Sequence, residues 1–105
     1  MKKIIITNLI LFCIILFACK KDKGSIPVIT LLGNNPTNSG VGYPYIDAGA
    51  TAHDSEDGDL TSKILTTSNV DTSTVGNYTV RYNVTDKDGN KADEVTRQVI
   101  IKYFK

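Results

Sequence analysis

Hydrophobic and polar positions divide this chain into three stretches. Ile4–Phe17 is apolar apart from Thr7 and Asn8, and Lys20–Ser25 is polar and charged. From Ile26 onward, short β-rich runs alternate with turn residues. Pro27–Leu32 predicts a first strand, with Pro27 suited to a strand start. Gly33–Gly42, rich in Gly, Asn, Pro and Ser, reads as a turn cluster. Tyr45–His53 is a second extended stretch, followed by an acidic loop over Asp54–Asp59. Leu60–Ser68 predicts a third strand and Val70–Val75 a weaker fourth. The clearest pattern comes next: Tyr78, Val80, Tyr82 and Val84 alternate with Thr79, Arg81, Asn83 and Thr85. That period of two marks a strand with one apolar face. Asp88-Gly89 supplies a hairpin turn, and the chain returns through Glu94–Phe104. There Val95, Val99, Ile101 and Tyr103 share a face that Arg97 interrupts, which predicts either a bulge or an arginine reaching the rim. No 3.6-residue period follows the first stretch. The pattern predicts an all-β domain over residues 26–105, with about seven short strands in a two-sheet sandwich.

The first stretch has a different logic. Lys2 and Lys3 precede the apolar run, and a small residue, Ala18, stands directly before Cys19. This is the layout of a secretory signal peptide over residues 1–18. Leu16-Phe17-Ala18-Cys19 resembles the lipobox of bacterial lipoproteins. The resemblance implies a diacylglyceryl thioether on Cys19, cleavage before it and acylation of the new amine. The competing reading is an uncleaved transmembrane anchor, but Leu9–Ala18 is shorter than the ~20 apolar residues that span a bilayer. Two or more acyl chains hold a protein to a membrane stably where one does not. Residues 19–25 then form a lipidated tether reaching about 20 Å when extended. Lys20 stands where an aspartate favours inner-membrane retention in many Gram-negative lipoproteins, so the tether resembles that of outer-membrane cargo.

Cleavage would leave 87 of the 105 residues, enough for one small core. It removes two lysines and no acids, turning a net charge of +1 into −1. Near-neutral charge argues against nucleic acid as a partner, since that requires a basic face. Cys13 lies within the signal and Cys19 is the lipid site, so the mature domain is expected to lack disulfides, thiolate nucleophiles and cysteine-ligated zinc.

Several segments together carry a second resemblance. They are Asp47–Asp54, Asp57–Thr61, Val70–Ser73, Gly76–Asp86 and Gly89–Ala92. In this order they resemble a bacterial immunoglobulin-like module of the kind found in an insecticidal crystal toxin, related to hyalin-repeat domains. The resemblance runs from about Ile26 to Ile101. It implies an immunoglobulin-like sandwich and says little about function, because such modules serve many proteins. Gly76-Asn77-Tyr78 agrees with it, placing a tyrosine at a strand start as in a tyrosine corner.

Two groups of residues carry candidate chemistry. Asp54, Glu56, Asp57 and Asp59 put four acids within six residues, and Asp86 or Asp88 in the last hairpin could join them. Hard cations such as Ca²⁺ take carboxylate oxygens in groups of this kind. The spacing is not that of an EF-hand, and an acidic loop whose aspartates cap turns is the competing reading. Asp54, Asp57, Asp59 and Asp86 are the candidate metal ligands. Tyr43 and Tyr45 flank Pro44 and are the candidate ligand-binding residues, since tyrosine faces stack on sugar rings. In the competing reading Tyr45 packs inward, because aromatics dominate small cores. His53 is the sole histidine. Its neighbours Asp54 and Ser55 cannot form a triad with it by adjacency, because successive strand residues face opposite ways.

No catalytic constellation is legible, so an enzyme is not expected. The expected function is a membrane-anchored surface lipoprotein with one non-catalytic module that grips glycan or another extracellular polymer through its loops. The alternative is a structural adaptor docking to a larger envelope complex by an edge strand. The chain ends right after its last strand, which favours direct contact over a spacer role.

Overall fold

The longest ladder in the structure is the one with the clearest sequence pattern. The computed structural model describes residues 24–104, so the signal, Cys19 and most of the tether lie outside the described residues. Among the described residues there are seven strands: β1 (Val28–Leu31), β2 (Thr37–Gly40), β3 (Ala50–Asp54), β4 (Gly58–Asp59), β5 (Leu65–Ser68), β6 (Gly76–Asn83) and β7 (Val95–Lys102). They form two sheets, ordered β1-β3-β4 and β2-β7-β6-β5. The antiparallel β6–β7 pair runs from Gly76 opposite Ile101 to Tyr82 opposite Val95. Between the sheets, Ile29 and Ala52 of one meet Val80, Tyr82, Val99 and Ile101 of the other, with Leu60, Val84 and Ala92 completing the core. This is the expected all-β sandwich.

The differences from the pattern reading are local, and each has a polar cause. Thr37-Asn38-Ser39-Gly40, placed among turn residues by composition, is strand β2 and pairs parallel to β7. Its parallel backbone ladder with β7 holds it there, and the Thr37 hydroxyl donates to the Asn34 carbonyl at 2.7 Å. The Asn35 carboxamide leads it in by accepting from the Gln98 amide at 2.9 Å. Val70–Val75 is not a strand. The Asp71 carboxylate accepts from the Ser73 amide at 3.0 Å and from its hydroxyl at 2.6 Å, folding the segment into a turn. The Leu60–Ser68 run is broken by a single 3₁₀ turn at Thr61–Lys63 before β5 begins.

Arg97 makes neither a bulge nor a rim contact. The β6–β7 register passes through it unbroken, opposite Val80, and its side chain is fully buried on the inward face between Val95 and Val99.

Tyr78 takes the corner position, its hydroxyl donating to the Thr74 carbonyl at 2.7 Å. This bond ties the start of β6 to the loop before it. Tyr78→Phe is expected to cost about 0.5–1.5 kcal/mol, the usual net worth of one hydrogen bond. Urea unfolding with an unchanged slope would measure it.

Candidate functional site

Three carboxylates converge at one end of the sandwich. Asp54 is the last residue of β3, where strand alternation turns it inward while His53 faces solvent. Asp57 lies in the β3–β4 turn, and Asp86 lies in the β6–β7 loop. One oxygen from each lies within 4.8 Å of the others. Asp54 and Asp86 are 1% and 7% exposed, burial that carboxylates rarely tolerate without partners.

Part of each group is satisfied locally. Asp54 Oδ1 accepts from the Glu56 amide at 3.1 Å and from the Ser25 hydroxyl. Asp57 Oδ2 accepts from the Lys87 amide at 2.9 Å. Asp86 Oδ1 accepts from the amides of Asp88 and Asn90, and its Oδ2 from the Asn90 carboxamide at 3.0 Å. Burial pushes the Asp86 carboxyl up, but the bonds from Asn90 lead the effects that outweigh it and hold the group below the usual aspartate range. Asp54 Oδ2 and Asp57 Oδ1 are buried and receive no hydrogen bond. The Lys87 ammonium stands 3.7 Å from Asp57 Oδ1, an ion-pair distance, and is itself largely exposed.

Asp59, the fourth candidate ligand, does not join them. It pairs with His53 across β3–β4, is exposed, and accepts from the Thr61 amide at 2.9 Å. Hydrogen bonds from Thr61 hold its carboxyl below the usual range.

The structure also separates the two candidate tyrosines. Tyr45 is half-buried against the core, its hydroxyl donating to Asp47 Oδ1 at 2.5 Å. Burial, then the bond to Asp47, pushes its phenol well above the usual tyrosine range. Its hydroxyl is thereby engaged within the domain, while its ring is partly buried against the core.

Tyr43 is 64% exposed and has a companion that sequence reasoning missed. A Cβ placed on Gly40 would meet the Tyr43 ring at 2.9 Å and the Phe104 ring at 3.0 Å. The two rings therefore converge over one glycine, and Phe104 is 59% exposed. The pair joins the loop after β2 to the segment after β7. Sixty-one positions separate them, so no local spacing could have announced the pair.

Comparison with known proteins places this geometry. A family model described as bacterial surface protein, Ig-like domain, matches residues 29–101. The chain belongs to that family. The bacterial surface Ig-like domain thus accounts for both sheets of the sandwich.

Among solved structures, a lipoprotein of Bacteroides thetaiotaomicron is similar with a TM-score of 0.64 at 22% identity, covering 76% of this chain and 39% of that one. A structure of the CBM51-2 module in complex with GlcNAc and the INT domains of ZmpB from Clostridium perfringens is similar at 31% identity and a TM-score of 0.59. That match covers 74% of this chain and 17% of the other. A further ZmpB structure, the M60 catalytic domain with CBM51-1 and CBM51-2, matches at 31% identity and a TM-score of 0.61, covering 77% of this chain and 8% of that one. This chain thus spans well under half the length of each of these proteins. A search of curated proteins found no match. Among the described residues, no helix is long and apolar enough to cross a membrane.

Proposed function

We propose that this surface Ig-like domain is a non-catalytic glycan-binding module, carried on a lipoprotein anchored through Cys19, in the outer membrane. The observation that carries the glycan reading is the pair of exposed rings, Tyr43 and Phe104, meeting over Gly40. Sugar rings present flat C–H faces, and aromatic side chains held at a fixed spacing offer them a platform with little rotamer entropy to lose. Gly40 supports the arrangement by leaving room for both rings. The similar Clostridium structure contains a module with bound GlcNAc, which makes amino-sugar polymers the first ligands to test. The anchor rests on the run from Lys2 to Cys19 and is tested separately, by mass spectrometry of the acylated N-terminal peptide.

The test is a pull-down of the detergent-solubilised full chain with insoluble chitin and peptidoglycan. Wild type is expected in the bound fraction, and Tyr43→Ala is expected to lower retention about tenfold or more, the effect of losing roughly 1.4 kcal/mol of contact. Retention unchanged by Tyr43→Ala would show that the aromatic pair does not bind glycan.

A second reading, an adaptor docking by an edge strand, draws on β1. It forms one edge of the three-stranded sheet, with Val28 64% and Ile26 61% exposed beside a groove of about 300 Å³ that Asp93 and Val95 also line. Co-purification of a defined envelope protein, lost on Val28→Lys and kept on Tyr43→Ala, would favour that reading over glycan capture.

A further inference from the structure

We infer that Asp54, Asp57 and Asp86 form a calcium site that clamps the entry of the tether to the sandwich. The donors are all carboxylate oxygens, with no histidine or cysteine among them, which suits a hard cation and not zinc or copper. The three groups lie within 4.8 Å of one another, close enough for one cation to touch all three. Ca²⁺ accepts such oxygens in flexible geometry, whereas Mg²⁺ demands a near-ideal octahedron and keeps most of its waters.

Charge and hydrogen bonding point the same way. Among the described residues, the buried Asp54 and Asp86 and the half-buried Asp57 have one cationic side chain at ion-pair distance, Lys87, and it reaches only Asp57. The side chain of Asp54 is almost wholly buried, and its Oδ2 meets no donor, as is true of Asp57 Oδ1. A carboxylate oxygen removed from water without a donor is costly, and a divalent ion is the partner that would satisfy both oxygens at once. The remaining oxygens of the trio are already held by the backbone amides of Glu56, Lys87, Asp88 and Asn90 and by the Asn90 carboxamide, so the donor set is oriented before binding.

The position of the site gives it a role. Ser25 donates its hydroxyl to Asp54, and its carbonyl accepts from the Asn90 carboxamide at 3.3 Å. A cation here would therefore join three things: the residue where the chain enters the domain, the β3–β4 turn and the β6–β7 loop. Bound calcium stiffens that junction, and its removal lets the mutual repulsion of the carboxylates loosen it.

The experiment is thermal unfolding of the full chain in detergent, in EDTA, in 10 mM CaCl₂ and in 10 mM MgCl₂, beside calorimetric titration with CaCl₂. Extracellular calcium modules bind with dissociation constants of about 10⁻⁴–10⁻³ M, so Tm should rise roughly 5–15 °C in calcium and much less in magnesium. Asp57→Asn is expected to abolish the shift, with a Tm in EDTA at or above wild type because a like charge is gone. Asp59→Asn is expected to keep the full shift. Calorimetry on wild type should give one calcium per chain and needs no variant to fold. Equal Tm in EDTA and calcium, an equal response to magnesium, or an undiminished shift in Asp57→Asn would each overturn the assignment. None of these outcomes bears on the aromatic platform, which lies on residues of other loops.

Discussion

Replacing Arg97 by methionine is expected to destabilise the domain by about 3–5 kcal/mol, the cost of breaking a buried ion pair from one side. The guanidinium is fully buried. Its Nε donates to Asp47 Oδ1 at 3.0 Å and to the Tyr82 hydroxyl at 3.3 Å. Its Nη2 donates to the carbonyls of Leu32 at 2.6 Å and Gly49 at 2.8 Å, and its Nη1 to that of Asn34. One side chain thus ties β7 to the loop after β1 and to the approach to β3. It also lies 5.9 Å from the centroid of the Tyr82 ring. Methionine fills much of the volume but donates nothing, leaving three carbonyls and Asp47 without their shared partner. Small domains of this size have only about 5–15 kcal/mol in total, so the variant should be partly unfolded at 37 °C. Arg97→Lys should recover little, because an ammonium cannot reproduce the planar fork. Chemical denaturation of wild type and both variants reads the effect directly, and a loss under 1 kcal/mol for Arg97→Met would refute it.

The second large effect is on acid stability, and Asp47 governs it. Burial pushes its carboxyl up, but the hydroxyls of Tyr45 and Tyr82, the Gly49 amide and the Arg97 charge outweigh burial and hold it below the usual aspartate range. A group whose pKa is lower folded than unfolded binds protons more readily in the unfolded chain. Its contribution to stability is therefore complete above the unfolded value, about 3.9, and disappears as pH falls through the folded value. Wild type should lose stability steeply below about pH 4. Asp47→Asn should be less stable at neutral pH, because it leaves the buried guanidinium without its counter-charge. Its stability should also depend less on pH in the acid range, so the two curves draw together there. Parallel curves between pH 6 and pH 3 would show that another group carries the acid response.

Much of this architecture could be read from residue order, and the unread parts share one physical character. β6 announced itself because Tyr78, Val80 and Tyr82 alternate without a break and Val84 continues the pattern just past its end, and the Tyr78 corner followed from a tyrosine two residues after Gly76. β2 was hidden because Thr37-Asn38-Ser39-Gly40 has no apolar face; parallel backbone pairing with β7 makes it a strand. Arg97 was misplaced because hydrophobic patterning has no category for a charge on the inner face. Only the fold reveals that Asp47, fifty positions earlier, waits there to receive it. The acidic residues were legible as a group, yet their spacing could not separate Asp59, taken up by its own turn, from the three that meet. Tyr43 was visible, whereas Phe104 joined it only through tertiary approach over Gly40.

Ligand contact at the Tyr43 and Phe104 rings is the central claim for this domain. Backbone NMR of the full chain in detergent, titrated with soluble N-acetylglucosamine oligomers, tests that with single-residue resolution. The prediction is saturable shifts confined to the amides of Gly40, Tyr43 and Phe104 and their neighbours, with the acidic end and the β1 edge still. Shifts absent at millimolar sugar, or gathered along Val28–Leu31 instead, would contradict it.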